Sequence, residues 1–387
     1  MSDPYAFQFA TASQILFGVG TLKQLPSLVV SKTGNVLLVH GASARHTHEV
    51  THALSQSGTN VSPMSIRGEP TVPDIQKGIQ QARDQGCDAV IAIGGGSVLD
   101  TGKVIAALLT NHGALMDYLE VIGGAKPLTV PSAFYAAVPT TAGTGAEVTR
   151  NAVIGSPEHR VKVSMRHIHM LPALAVVDPA LTEGLPPDQT ATSGLDAVTQ
   201  LLEVYTSPTG SPMTDAVCRA GLEKAGALLR AYRDGKDQHA RVNMAFAALC
   251  SGMALANAKL GAVHGLAGPL GGMFPAPHGA ICARLLPILT RANLKTLAQS
   301  NPTSPALSRY NEALALLAQR SFTSVDDGLD WLVQWCAAMP VPGLHTYGVH
   351  LDHFGDIITK ARNASSMKGN PVTLADETLH VALQEAL

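Results

Sequence analysis

Two short, uninterrupted apolar runs, at residues 35–40 (NVLLVH) and 88–93 (DAVIAI), constrain the fold of this chain more than any other feature. Each is the length of a strand and lacks the alternation of a strand with one face in water. Helical patterns at about residues 45–57 and 72–85, with a short strand near residues 61–66, separate them. Alternating strands and helices of this kind predict a doubly wound α/β domain whose mostly parallel sheet is covered on both faces.

The pattern changes in the second half, and this change predicts two domains. After about residue 185 the strand patterns stop, and helical patterns run from residues 192–207 onward. We therefore expect a dinucleotide-binding α/β domain over residues 1–183 and an all-α domain over residues 184–387. Residues 7–11 and 14–18 are expected to form an edge hairpin before the main sheet.

Composition excludes several classes of protein. Charged residues make up 14% of the chain, the formal net charge is −2, and no basic run is present, so we expect no nucleic-acid partner. No apolar run approaches the length of a membrane span, and the five scattered cysteines read as reduced, buried thiols, as in a cytoplasmic protein. Low charge and alanine-rich helices favour a homo-oligomer, with a dimer expected.

Polar loops follow two of the predicted strands. The sequence GGGSVLDTGK begins at Gly94, and its glycines allow backbone to approach a ligand closely, while Ser97 and Asp100 are spaced as a capping box. The helix start that follows suits a pyrophosphate. The alternative is a tight turn without a ligand, since the ordinary G-x-G-x-x-G fingerprint is absent. The strand at residues 133–140 runs into a second loop that carries three threonines.

A predicted helix at residues 192–207 places three oxygen-bearing side chains on one stripe. Asp196, Gln200 and Glu203 follow one another at helical spacing on a helix that is otherwise apolar. A capping box from Ser193 to Asp196 is the simpler interpretation. A divalent metal becomes preferable if imidazoles reach Asp196 from elsewhere in the chain.

The ordered motifs GGGSVLDTGK, PTTAGTGAEVTRNAVI, DPALT, GLDAVTQLLEVYTS and HGLAGPLGGMFPAPHGAICA together resemble the iron-dependent (group III) alcohol dehydrogenase family. The resemblance covers nearly the whole chain. It implies the architecture shared with dehydroquinate synthase, in which an N-terminal domain binds a nicotinamide cofactor and a helical domain carries Fe²⁺ or Zn²⁺. The implied metal ligands, three of which are also the implied catalytic residues, are Asp196, His264 and His278, with Gln200 as the fourth.

The resemblance also implies a set of residues that contact the dinucleotide. Gly41 and Ser43 would lie near the ribose, and the glycine loop would hold the pyrophosphate. Relatives that prefer NAD commonly end the first strand with an acidic residue, whereas here the chain reads HGASAR, which favours NADP(H). The implied cofactor-binding residues are Gly41, Ser43, Gly95, Gly96, Ser97, Asp100, Thr140, Thr141, Thr144, Thr149 and Lys162.

Two positions depart from the family pattern. Gln200 stands where relatives have a ligand histidine, and Gly268 stands where they have a second histidine after His264. Three interpretations of Gln200 remain open: it ligates through Oε1, it hydrogen-bonds a water in a three-ligand site, or the site holds no metal. An amide oxygen is neutral like imidazole, so the charge of the site is unchanged.

The resemblance implies hydride transfer between a nicotinamide cofactor and a small alcohol or carbonyl compound, with the metal as a Lewis acid. Three alternatives stay open at this point. One is a metal-free reductase of an oxoacid, similar to maleylacetate reductases. Another is a lyase that resembles dehydroquinate synthase and regenerates its nicotinamide in each cycle. The third is a protein that binds the nucleotide without catalysis.

Overall fold

The computed structural model describes residues 6–159 and 161–387, and in it the chain forms two compact units. One unit spans Ala10–Glu183, and the other spans Gly184–Leu387 together with residues 6–9. The change of unit falls where the strand patterns end in the sequence. The prediction placed residues 6–9 in the first domain, over residues 1–183, whereas in the structure they group with the helical unit. Residues 1–5 lie outside the described part of the chain.

The first unit is built on a parallel sheet. Its six strands run in the order β1-β8-β5-β4-β2-β3, and a separate antiparallel pair is formed by β6 and β7. The strands are β1 (Gln14–Phe17), β2 (Asn35–Gly41), β3 (Asn60–Ile66), β4 (Ala89–Gly94), β5 (Phe134–Pro139), β6 (Asn151–Ser156), β7 (Val161–Arg166) and β8 (Leu174–Val177). The helices are α1 (Leu25–Val29), α2 (Thr47–Gln56), α3 (Val72–Asp84), α4 (Gly96–Thr110) and α5 (Leu115–Tyr118).

The uninterrupted apolar strands are explained by burial on both faces. In β2, Leu37 and Val39 belong to one hydrophobic core, while Val36 and Leu38 belong to another, and all four are fully buried. Successive side chains of a strand point to opposite faces, so each face needs its own apolar cover. The predicted doubly wound α/β class is confirmed.

The predicted edge hairpin is wrong. Residues 7–11 form no strand, and β1 pairs in parallel with β8, Gln14 lying opposite Leu174. An apolar run near a glycine carries no information about its partner, and the partner here is more than 150 residues away in sequence.

The sheet order places one crevice at a defined position. Strand β2 lies between β3 and β4. The chain goes from β2 to β3 on one side of it and then crosses to β4 on the other side, so the direction in which strands are added reverses beside β2. Ligands of doubly wound sheets bind outside the carboxyl ends of the strands at such a switch point. Gly41 ends β2 and Gly94 ends β4, which puts the glycine loop beside this crevice.

The second unit is helical, as predicted. Its helices are α6 (Pro187–Thr206), α7 (Pro212–Ala225), α8 (Leu228–Arg233), α9 (Gln238–Asn257), α10 (Ala262–Met273), α11 (His278–Ser300), α12 (Pro305–Ala318), α13 (Val325–Ala337), α14 (Phe354–Asn363) and α15 (Asp376–Ala386). Within the described residues no single helix has the length and apolarity to span a membrane, although α9 and α10, bent by 92°, meet those criteria as a pair.

Candidate functional site

Helix α6 carries the predicted polar stripe, and the capping-box interpretation of it is wrong. The helix begins at Pro187, so Ser193 lies inside it and its hydroxyl donates to the carbonyl of Gln189 in the preceding turn. Asp196 is only 1% exposed. A carboxylate buried this deeply needs partners other than the helix start.

Three side chains converge at Asp196. His264 lies on α10, His278 is the first residue of α11, and Cys282 follows on the next turn of that helix. Each of the three, like Asp196, can offer one ligand atom, and these four atoms all lie within 4.8 Å of one another. We call Asp196, His264, His278 and Cys282 the ligand cluster.

Glu203, the last residue of the stripe, fixes how His264 faces the cluster. Its Oε2 lies 2.7 Å from His264 Nδ1, and its Oε1 accepts a hydrogen bond of 2.6 Å from the amide of Val263. A carboxylate only accepts, so Nδ1 carries a proton, and Nε2 is the nitrogen that can offer a lone pair to a cation in the cluster. Glu203 therefore positions His264 and is not itself a ligand.

One oxygen of Asp196 is left without a hydrogen bond. Its Oδ2 accepts from Gln200 Nε2 at 3.1 Å, but its buried Oδ1 has no hydrogen-bond partner. His264 Nε2 lies 3.3 Å from Oδ1 without the geometry of a hydrogen bond. Two lone pairs that face each other in a buried site fit a cation placed between them.

The orientation of Gln200 does not fit its predicted role as a metal ligand. Its Oε1 accepts a hydrogen bond of 2.8 Å from Ser251 Oγ, and its amide nitrogen faces Asp196. An amide nitrogen has no lone pair for a metal, so Gln200 would have to turn its amide over to ligate one. Gln200 therefore holds Asp196 in place.

The charges of the cluster are strongly coupled. Burial alone would raise the pKa of Asp196, but the His278 and His264 imidazoles outweigh it and lower that pKa. Burial would also lower the pKa of His264, but Cys282 and Asp196 raise it well above its ordinary value. Cys282 and Asp196 together raise the pKa of His278 to about 9. Without a cation, protons take its place between these groups.

Cys282 was missed at the level of sequence, where the five cysteines were interpreted as scattered buried thiols. The signal was its spacing. Residues four apart on a helix lie on the same face, so a cysteine four residues after His278 shares the face of that histidine. The spacing becomes informative only once a helix is known to begin at His278.

Most of the predicted dinucleotide residues lie at the carboxyl ends of three adjacent strands, β2, β4 and β5. Thr140 donates its amide to the carbonyl of Gly94 at 2.9 Å, which joins the glycine loop to the threonine loop. A Cβ on Gly96 would lie 2.8 Å from the Thr144 side chain. These two loops thus pack tightly, and part of the need for glycine comes from the protein itself.

Two of the residues predicted to bind the cofactor make hydrogen bonds within the protein. Helix α4 is capped by Gly95, so the capping box from Ser97 to Asp100 is wrong, and Asp100 Oδ2 accepts from the amide of Val153 at 2.9 Å. The buried Thr149 hydroxyl accepts a hydrogen bond from Lys103 Nζ at 2.8 Å. Both side chains fasten the segment after the threonine loop.

Three further predicted or nearby residues lie on the periphery of this unit. The Lys162 ammonium is paired with the Glu69 carboxylate, and its side chain is 15% exposed. Ser43 is exposed in the turn that follows β2. Arg45 donates from its guanidinium to the backbone carbonyl of Glu183.

Glu147, beside the threonine loop, gives a pH-dependent prediction. It is 3% exposed, and burial raises its pKa to about 7. The folded state therefore holds a proton that the unfolded state releases above its ordinary pKa of 4.5, so stability falls as the pH rises from 4.5 to 7.

Glu147→Gln should remove this cost. We expect the free energy of unfolding to increase by about 1–2 kcal/mol at pH 8, where the native carboxylate is charged, and to change little at pH 5. Urea unfolding of both proteins at the two pH values measures the difference. Equal effects at both pH values would show that the buried charge is not its source.

Comparison with known proteins agrees with this geometry. Residues 12–179 match the family model for iron-containing alcohol dehydrogenases, and residues 190–387 match the model for the C-terminal domain of the same family. The chain is 32% identical over 377 residues to alcohol dehydrogenase 4 of Saccharomyces cerevisiae, which covers 96% of each protein. It is 37% identical to 4-hydroxybutyrate dehydrogenase of Cupriavidus necator over 78% of each.

The fold comparison gives the same result. The crystal structure of a 1,3-propanediol oxidoreductase superposes with a TM-score of 0.90 and 28% identity, covering 99% of this chain and all of that one. The chain therefore belongs to the iron-containing alcohol dehydrogenase family. It is an oxidoreductase, a metal-dependent alcohol dehydrogenase linked to a nicotinamide dinucleotide.

Proposed function

We propose that this enzyme transfers hydride reversibly between NADP(H) and a small primary alcohol or the corresponding aldehyde. The observation that carries the proposal is the buried Asp196 Oδ1, which has no hydrogen-bond partner and faces the lone pair of His264. Asp196, His264 and His278 would hold a divalent cation there. When bound, that cation supplies a Lewis acid for the substrate oxygen, and the nicotinamide supplies or accepts the hydride.

At the metal site, the protein's own side chains hold the proposed ligands in a fixed orientation. Glu203 fixes the ring of His264, and Gln200 fixes the carboxylate of Asp196, so the two donors keep their positions whether or not substrate is present. Donors that are held in advance cost little reorganisation when the reaction begins. His278, whose side chain is 38% exposed, is the member of the cluster most open to an incoming molecule.

The second part of the proposal concerns the residues that would bind the dinucleotide. Helix α4 has 15 residues, and the amides of its first turn lie at the carboxyl end of β4. Those amides and the positive end of the helix dipole would bind the pyrophosphate, with Gly95, Gly96 and Ser97 lining the approach. Gly41, Thr140, Thr141 and Thr144 would line the neighbouring positions. Of the residues predicted from sequence, Asp100 and Thr149 would act only by supporting this surface.

The end of β2 supports NADP(H) as the preferred cofactor. Gly41 ends the strand, and the following turn carries Ser43 and Arg45 with no carboxylate. A carboxylate there would accept hydrogen bonds from the ribose hydroxyls of NAD and would repel a 2′-phosphate. Gly41→Asp should therefore lower kcat/KM for NADP at least about tenfold, a loss of about 1.4 kcal/mol, while kcat/KM for NAD stays the same or rises.

Steady-state kinetics with both cofactors tests this preference. Wild-type enzyme that uses NAD at least ten times better than NADP, or a Gly41→Asp variant with unchanged preference, would contradict it.

The substrate class is proposed from the relatives, whose names are those of alcohol, 4-hydroxybutyrate and 1,3-propanediol dehydrogenases. A panel of primary alcohols, diols, ω-hydroxy acids and aldehydes, run with both cofactors and with or without added Zn²⁺ or Fe²⁺, tests the proposal. Net consumption of cofactor is expected with each turnover. Full activity in fully metal-free protein would favour an oxoacid reductase instead, and regeneration of the cofactor would favour a lyase. A cytoplasmic location and a homodimer stay predictions.

A further inference from the structure

The ligand cluster contains one donor that the family motifs do not assign, the sulfur of Cys282. This residue is fully buried on α11, one turn after His278. Its Sγ lies 3.6 Å from His278 Nε2 and 3.8 Å from His264 Nε2. The sulfur thus faces the same point as the two imidazoles.

Four of the six separations within the cluster agree with one shared cation. Zinc binds thiolate at about 2.3 Å and imidazole at about 2.0–2.1 Å in tetrahedral geometry, which separates S and N ligands by about 3.6 Å and N and O ligands by about 3.4 Å. The S–N distances here are 3.6 and 3.8 Å. The distances from Asp196 Oδ1 to His264 Nε2 and His278 Nε2 are 3.3 and 3.7 Å.

The cluster also lacks one ligand of the family pattern, and Cys282 can supply it. Gln200 stands where relatives have a ligand histidine, and its carboxamide oxygen is occupied by Ser251. Asp196 is 1% exposed, and its Oδ1, which has no hydrogen-bond partner, lies 3.3 Å from His264 Nε2 and 3.7 Å from His278 Nε2. A buried carboxylate oxygen without a hydrogen-bond partner is a second observation that fits a cation at this place.

We propose that Cys282 is the fourth protein ligand and that the resulting site of one carboxylate, two imidazoles and one thiolate selects Zn²⁺ over Fe²⁺. On binding, the thiol proton passes to solvent and the sulfur binds as thiolate. Thiolate is a softer donor than imidazole or amide oxygen, so it favours zinc. Two anionic ligands would balance the charge of a divalent ion in a buried site, and zinc can take a fifth ligand, which would leave a position for the substrate oxygen. The inference rests on the proposed metal site and adds the identity of its fourth ligand and of its preferred metal.

X-ray absorption of the wild-type zinc enzyme tests the proposal without a mutation. We expect one sulfur at about 2.3 Å in the zinc coordination shell, and more zinc than iron bound after exposure to equal concentrations of both under reducing conditions. A shell of nitrogen and oxygen alone, or preferential loading with iron, would overturn it.

Cobalt substitution of two variants gives a second test. Cys282→Ala should abolish the thiolate-to-cobalt charge-transfer band and weaken zinc binding at least about tenfold, the smallest loss seen when even an outer-shell partner of a ligand is removed. Cys336→Ala, a matched change of another buried helical cysteine, should preserve both. A Cys282→Ala protein that keeps the band would overturn the assignment. Failure of the wild-type chain to bind any metal would overturn the metal site as a whole, whereas metal bound without sulfur would overturn only the role of Cys282.

Discussion

His264→Ala is expected to lower kcat by about 1000-fold or more, because a Lewis acid supplies several kcal/mol of transition-state stabilisation and each 1.4 kcal/mol is a factor of ten. The mutation removes the Nε2 lone pair that faces Asp196 Oδ1, and it leaves the Glu203 carboxylate without its imidazole partner. Bound metal per protein chain should fall together with activity. Affinity for the dinucleotide should stay within a few-fold of wild type, because none of the residues proposed to bind it belongs to the ligand cluster.

Kinetics, metal analysis and fluorescence titration with the reduced cofactor measure these three effects separately. His239→Ala, a change of an exposed histidine on α9, is the control and should leave all three unchanged. An active His264→Ala enzyme with full metal content would refute the assignment of this histidine as a ligand. Loss of cofactor binding in the same variant would point to a damaged fold.

Lys103→Met is expected to lower the free energy of unfolding by about 3 kcal/mol, within the range seen when a buried charged group loses its partners. Lys103 is fully buried on α4, and its Nζ donates hydrogen bonds of 2.8 Å to Ala146 O, Thr149 Oγ1 and Asn151 O. Methionine has a similar length but donates no hydrogen bond, so three buried acceptors lose the same partner. Burial lowers the pKa of this lysine to about 8.

Urea unfolding at pH 7 measures the effect, and Lys77→Met, which changes an exposed lysine on α3, is the control. Because the three acceptors belong to the segment after the threonine loop, we also expect the variant to bind dinucleotide more weakly. A change in unfolding free energy of less than about 0.5 kcal/mol, the size typical of surface substitutions, would contradict the structural role.

The order of elements could be predicted because local sequence determines it. Continuous apolar runs of strand length, separated by amphipathic helices, leave few solutions other than a covered parallel sheet. Thr71 before α3 illustrates how far local signals reach, since its hydroxyl accepts from the amide of Asp74 in a complete capping box. The pairing of strands that are far apart in the sequence could not be predicted in this way. The pairing of β1 with β8 depends on which sheet edge is left open, and no local pattern encodes that.

In the candidate site, too, some features follow from local sequence and others depend on tertiary contacts. The spacing of Asp196, Gln200 and Glu203 on one helical stripe is a local property, and their shared burial follows from it. The roles within the stripe are not local. Asp196 faces the imidazoles, Gln200 turns its oxygen to Ser251, and Glu203 orients His264, because α9 and α10 bring different partners to each position.

Sequence by itself determined the two-part organisation, the parallel sheet with glycine-rich strand ends, and the residue types available for a metal site. Only the tertiary structure decided that Cys282 lies beside Asp196 and the two histidines, while Gln200 turns its amide oxygen to Ser251. The reason is physical: ligation depends on where lone pairs point, and that direction is set by side chains from helices far apart in the chain.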